Sequence, residues 1–297
     1  MTAKPSSMTR PVQVHIIGAS GRSGSALCRS LLADAVSIVP VVRDAAKWAA
    51  TGIAVAPRIA DIADAATLRS VLADATAVIC CAHARHAGAV IETAPPDARL
   101  VFLGSTRKFT KWPDEHGNGV LAGEAAFLAS GRSGVMLHPT MIYGARGEDN
   151  VQRLAAWLRW LPIVPLPGGG RSLVQPIHQD DVTRSIRAAL DHPWRGPQSL
   201  VIAGPSPMPY AEFVRAIAIA SGLSPPRIVA VPVGPLMTLA GFLQYIPCVP
   251  RIRPAEIRRL MEDKSFDVRP MIDTLGIQPI PLPEGLARTF SLPNRSQ

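Results

Sequence analysis

The chain of 297 residues has little cysteine, few aromatic side chains and little charge. Its four cysteines (Cys28, Cys80, Cys81 and Cys248) make no C-x-x-C pair of the kind that holds a metal. They are also too few to staple a chain of this size, and they fit a reducing, cytoplasmic setting. Aromatics account for 5% of residues and charged side chains for 18%, against 47% hydrophobic, which excludes a disordered chain and supplies a large core. The net charge of +9 comes from arginines scattered along the sequence. No long basic block is present, so no nucleic-acid partner is expected. Residues 1–11 lack an apolar signal core and read as a loose tail. The stretch Ile228–Pro250 is uncharged, but prolines at 232, 235, 247 and 250 confine any helix to eleven residues. A membrane span needs roughly twenty. A buried or interfacial helix is expected, with peripheral membrane contact through 228–250 left open and no transmembrane span.

What is present begins with VQVHIIGASGRSGSALCRS, residues 12–30. Val12, Val14, Ile16 and Ile17 read as a buried strand, and Ala26, Leu27, Leu31 and Leu32 return at helical spacing. Between them lies Gly18-Ala-Ser20-Gly21-Arg22-Ser23-Gly24. Strand, glycine turn and helix form the context for a dinucleotide phosphate. Gly18 permits the tight turn, Gly21 lets backbone N–H groups approach a pyrophosphate, and Gly24 lets the helix pack close on the strand.

The apolar run Val36–Val42 is read as a second strand, although Pro40 cannot donate to a ladder. Arg43 follows it directly. An arginine at this tip pairs with the 2′-phosphate of NADP, so Arg43 and Arg22 point to NADP(H) over NAD(H). Asp44 offers the competing reading of a ribose contact, and Arg43 the plainer one of a surface cation. Residues 61–75 read as a turn and a helix capped by Asp64, with Asp61 near an adenine and Ala82 closing the strand Thr76–Cys81 at the cofactor's edge. The strand Leu100–Leu103 ends in Gly104-Ser105-Thr106, placing hydroxyls at the carboxyl edge of an open sheet.

Further along, Gly119–Ser130 reads as a helix, Val135–Met141 as a strand and Val151–Leu161 as an amphipathic helix. Leu166–Gly170 reads as a turn, Ser172–Ile177 as a strand, and Asp180 and Asp181 as the caps of a helix to Leu190. Gln198–Ala203 is expected as the last parallel strand, and Pro209–Gly222 as a helix. Alternating strands and helices give an α/β fold, a doubly wound parallel Rossmann sheet with a small carboxyl-terminal substrate lobe. The expected division is a tail at 1–11, a dinucleotide-binding domain at 12–204 and a substrate lobe at 205–297. Part of 145–172 is expected to join the substrate cleft.

In this order the pieces resemble the extended and atypical short-chain dehydrogenase/reductases, including nucleotide-sugar epimerases and NmrA-like proteins. The matching segments are GASGRSG, VVRD, DIADAATLRSVLADATAVI, LGST, GEAAFLASGRSGVMLHPTMIYG, IHQDDV and LGIQPIPLPEGL, spread over residues 12–290. The resemblance implies an oxidoreductase or epimerase-like protein with a small or nucleotide-linked substrate. It places Ser105 and Thr106 near the nicotinamide, His138 and Pro139 beside it, and Tyr143 at the cleft. Arg146, Asn150 and Arg171 fall where such enzymes hold a substrate phosphate.

One departure bears on chemistry. The family's Y-x-x-x-K tyrosine and lysine correspond here to His116 and Val120. An imidazole exchanges protons near neutrality without a lysine beside it, so His116 stands with Ser105 and Thr106 as a catalytic candidate. Its setting, WPDEHGNG, reads as a polar loop, where a surface histidine is the plainer reading. A protein that binds NADP(H) without catalysis, as a sensor or scaffold, is the alternative that the lost pair favours.

Overall fold

The computed structural model describes residues 13–144, 150–234 and 258–291. Seven strands form one sheet in the order β11-β6-β5-β4-β1-β2-β3, with every neighbouring pair parallel. They are β1 (Val14–Ile17), β2 (Ile38–Val42), β3 (Arg58–Ile59), β4 (Ala77–Cys80), β5 (Arg99–Leu103), β6 (Gly134–Pro139) and β11 (Pro197–Ile202). The central strands read as unbroken apolar runs because both faces are covered. In β4, Ala77 and Ile79 join one core, and Val78 and Cys80 join the other.

The first of these cores is closed by α1 (Arg22–Ala33), α7 (Gln179–Asp191) and α9 (Arg269–Leu275), through Leu27, Leu31, Val182, Ile186 and Met271. The second is closed by α3 (Ala65–Leu72), α4 (Ala87–Thr93) and α5 (Glu115–Ala129), through Leu68, Leu72, Val90, Val120 and Phe127. A short α2 (Ala45–Ala49) follows β2. A third core joins α6 (Asn150–Leu158), α8 (Tyr210–Ala220) and α10 (Leu282–Ser291) around Val151, Leu158, Phe213, Ile217 and Leu286. This lobe carries three two-stranded sheets. β7 (Ile142–Tyr143) pairs with β10 (Ile177–His178), β9 (Leu173–Val174) with β12 (Met208–Pro209), and β8 (Ile163–Pro167) with β13 (Arg227–Val231).

Pro40 sits inside β2 without loss. Val41 O accepts from Gly18 on the β1 side and Val42 O from Ala60 on the β3 side. By alternation Pro40 faces the β3 side, where β3 pairs with Val41 and Val42 alone.

Four local expectations are corrected. The helix expected from Gly119 begins at Glu115, capped by Asp114, whose carboxylate accepts Gly117 N–H at 2.8 Å. The segment expected as a turn at Leu166–Gly170 begins inside β8. Ser172–Ile177 is broken into β9 and the start of β10, outside the main sheet. Between them the buried Gln175 turns its amide to other chain segments, donating to Gly204 O and accepting Phe266 N–H. The cap of α7 is His178, whose Nδ1 accepts Asp180 N–H at 3.2 Å, while Asp180 and Asp181 occupy the first turn. Among the described residues, no helix is long and apolar enough to cross a membrane, and no cluster of side chains could hold a metal ion. Arg146, residues 1–11 and most of the 228–250 stretch lie outside the described residues.

Candidate cofactor and substrate site

From β1 the chain turns to β2 and β3, then returns to lay β4 against the other side of β1. The carboxyl ends of β1 and β4 therefore flank a topological switch point, where open α/β sheets bind ligands. Gly18 has φ +76°, and a Cβ there would lie 3.0 Å from Ala82 N, so the two strand ends approach through a residue without a side chain. A Cβ at Gly24 would overlap Gly18 O, which is why α1 can start so close to β1. The first turn of α1 has no side-chain cap and no acidic residue. Its N–H groups and the positive end of its dipole are left for an anion, as a pyrophosphate requires. Ser20 is half-buried in this turn, Arg22 is exposed, and Ser23 Oγ donates to Gln179 Oε1 at 3.1 Å.

At the tip of β2, Arg43 is exposed. Asp44 is engaged as the cap of α2, accepting Lys47 N–H at 3.0 Å, and Asp61 accepts Ala63 N–H at 2.9 Å. Arg43 is thus the side chain at this tip with no capping duty.

A cavity of about 370 Å³ opens beyond Ser105 and Thr106, and His116, Thr140 and Asn150 also line it. From the carboxyl-terminal part come Arg259, Glu262, Asp263, Lys264 and Phe266. Thr106 Oγ1 donates to Pro139 O at 3.2 Å, and Ser105 Oγ accepts Arg107 N–H at 3.1 Å. Glu262 ties the lobe to the loop after β5 by accepting Thr110 Oγ1–H and Lys111 N–H, both at 2.7 Å. Asp114 accepts from both Arg107 and Arg259.

His116 stands in the first turn of α5, half-buried against this cavity and not in an open loop. Its ring meets His83 edge-on, with centroids 4.3 Å apart. Burial, then the nearby Arg107, holds the His116 pKa below the ordinary histidine value. Burial pushes His83 down to about 4. The lobe's Lys264 is drawn below the usual lysine range by burial. Val120, in the place of the family lysine, is 1% exposed and belongs to the core.

His138 lies behind the cavity. It is fully buried, its Nδ1 accepts Ser105 N–H at 3.2 Å, and its Nε2 faces Glu124 Oε1 at 3.2 Å. Burial pushes its pKa down to about 4. Burial works against the Glu124 carboxylate, yet hydrogen bonds from Lys108 (2.5 Å) and Ser199 keep its pKa below the usual range. Tyr143, expected at the cleft, is buried in the lobe core, with its hydroxyl over Gly285 and its ring 5.2 Å from that of His178. Arg171 is exposed and is not among the residues lining the cavity.

Sequence reading missed His83, Thr140, Gln179 and the Arg259–Lys264 segment. His83 follows the strand expected at Thr76–Cys81, and its place beside Ala82 was the available signal. Thr140, whose buried Oγ1 has no partner, directly follows the expected His138-Pro139 pair. Nothing local marks Glu262 or Lys264, which arrive from some 150 residues away.

Residues 18–117 match the family described as NAD(P)H-binding. No curated protein is detectably similar to the chain in sequence. Among solved structures, an NADPH-dependent quinone oxidoreductase from Escherichia coli, complexed with NADPH, superposes with a TM-score of 0.71 at 17% identity, covering 93% of this chain and 99% of that one. A UDP-glucose 4-epimerase from Thermotoga maritima, with UDP-glucose, gives 0.71 at 14% identity over 94% and 97%. MoeE5 in complex with UDP-glucuronic acid and NAD gives 0.69 at 20% identity over 94% and 98%. Residues 18–117 are thus similar to an NAD(P)H-binding family, and the chain shares the Rossmann-type fold of these oxidoreductase and epimerase structures.

Proposed function

We propose that the protein is an NADP(H)-dependent oxidoreductase or epimerase-like enzyme of the short-chain dehydrogenase/reductase type, acting on a small or nucleotide-linked substrate in the 370 Å³ cavity. The observation that carries this reading is that His116, Ser105 and Thr106, far apart in sequence from the glycine turn, line one cavity. The glycine turn and the uncapped start of α1 hold the pyrophosphate, and Arg43 with Arg22 favours the 2′-phosphate. A nicotinamide bound along this crevice supplies the hydride chemistry. Thr106 and Ser105 orient the reacting oxygen, while His116 donates a proton to it in reduction and removes one in oxidation. Asn150 at the start of α6, which lines the cavity, contacts the substrate, whereas Arg171 stands outside it. The buried, reduced thiols of Cys28 and Cys80 suit the cytoplasm.

The second reading, NADP(H) binding without turnover, is favoured by Val120, which leaves no lysine at its position on α5. The two readings part in a screen of carbonyl compounds and nucleotide-sugars with NADPH or NADP. The enzyme reading predicts a substrate whose turnover falls at least about a hundred-fold in His116→Ala, the usual scale of a general acid or base. Tight NADPH binding with no turnover across the screen supports the sensor reading instead.

A further inference from the structure

In the parallel sheet of β8 and β13, Val164, Leu166 and Ile228 turn into the lobe core. The alternate residues, Ile163, Pro165, Arg227 and Val229, face outward and are exposed. Just before β8, Trp160 is 84% exposed and Leu161 is exposed beside it. Arg227 N–H donates to Pro162 O at 2.9 Å, so the end of α6 and the start of β13 form one continuous edge. An isolated exposed apolar residue is ordinary, but a contiguous edge built on tryptophan marks a contact surface.

The segments that build this edge carry charge of one sign: no Asp or Glu occurs between Asn150 and Gln179, or between Phe213 and Gly234, whereas Arg153, Arg159, Arg171, Arg215 and Arg227 do. Arg159 adjoins Trp160, and Arg227 lies opposite Ile163 in the sheet. Beyond β13 the sequence stays uncharged to Pro250. Tryptophan with aliphatic side chains, rimmed by arginine, is the composition of the membrane–water interface. A second copy packed on this face about a two-fold axis would bring like patches, and their arginines, together. Anionic headgroups would neutralise them.

We propose that the edge formed by Trp160–Ile163 and strand β13 is a docking surface for an anionic lipid bilayer, with Trp160 entering the interface and Arg159 and Arg227 meeting the headgroups. The docking is peripheral and is independent of what the cofactor site does.

The test is co-sedimentation of the full chain with vesicles of phosphatidylcholine alone, or of phosphatidylcholine mixed with phosphatidylglycerol, at low and high salt. The chain should pellet with the anionic vesicles, weaken with salt, and partition about five-fold less for each of Arg159→Gln and Arg227→Gln. Trp160→Ser combined with Ile163→Ser should abolish pelleting while keeping the wild-type melting temperature and NADPH binding. Brominated lipid should quench part of the wild-type tryptophan fluorescence, and that part should vanish in Trp160→Phe while vesicle binding remains. Failure to pellet with either vesicle, or pelleting unchanged in the double variant, would overturn the proposal. So would a concentration-dependent dimer that the double variant abolishes in a chain that ignores vesicles, since a second copy would then be the occupant.

Discussion

His116 and His83 meet edge-on, 4.3 Å between ring centroids, and so join the first turn of α5 to the end of the strand that borders the cofactor crevice. This contact brings the imidazole at the family's tyrosine position to the cavity beside Ser105 and Thr106. Burial and Arg107 hold its pKa below the ordinary histidine value.

The sign of the pH dependence follows. In the proposed mechanism the imidazolium of His116 is the proton donor in reduction, and burial holds its pKa below the ordinary histidine value of about 6.5. Reduction should be fastest at acid pH and decline as pH rises through that pKa. Oxidation should rise over the same window and then level off. Profiles of kcat/KM in both directions check this, and a reduction profile that is flat from pH 5 to 8, about three decades of proton concentration, would remove His116 from the mechanism.

Acid stability reports on His138. Its folded pKa of about 4 lies below the unfolded value of about 6.5, so folding excludes its proton. Its contribution is fully present above pH 6.5 and is lost as pH falls toward 4. At about 1.4 kcal/mol per pKa unit, the loss over that range is about 3 kcal/mol. His15, also buried and shifted down, acts in the same direction. Denaturant titrations between pH 7 and 4 should show this slope, and His138→Asn should flatten it.

Two glycines of the same turn should fail differently. A Cβ at Gly24 overlaps backbone, so Gly24→Ala should lower stability by about 1–3 kcal/mol. Gly21, at φ −74°, meets only Gly18 O, at 3.2 Å, so Gly21→Val should fold and lose the dinucleotide. Thermal melts with and without NADPH separate the two outcomes.

What the sequence made legible is the part dictated by local pattern. The unbroken runs VHII, IVPVV and AVIC are strands covered on both faces, and the Gly18–Gly24 turn carries its own geometry. The reading of His116 as a loop residue failed for a physical reason. In WPDEHGNG the glycines look like turn formers, yet they serve helix packing. A Cβ at Gly117 would lie 2.9 Å from Arg107 O, and one at Gly119 would press on His83. The lobe's strands were illegible because they are two to five residues long and broken by proline. Tyr143 was misplaced because its pairing with Gly285 is set by tertiary contact alone.

Glu262 tests how the lobe is attached. Its buried carboxylate accepts hydrogen bonds from Thr110 and Lys111 across the cavity. Glu262→Ala should cost about 2–3 kcal/mol of stability and raise KM for any substrate, leaving NADPH affinity within a factor of about two. Equilibrium unfolding and a cofactor titration on the same variant check both halves.

The central claim is NADP(H) binding at the glycine turn, selected by Arg43. Titration of NADPH and NADH into the wild type and into Arg43→Ala tests it most directly. A charge-assisted arginine–phosphate bond contributes on the order of 1.5–3 kcal/mol, so the wild type should prefer NADPH by about ten- to a hundred-fold. Arg43→Ala should lose most of that preference with little change for NADH. Equal affinities in the wild type, or a preference untouched in Arg43→Ala, would contradict it.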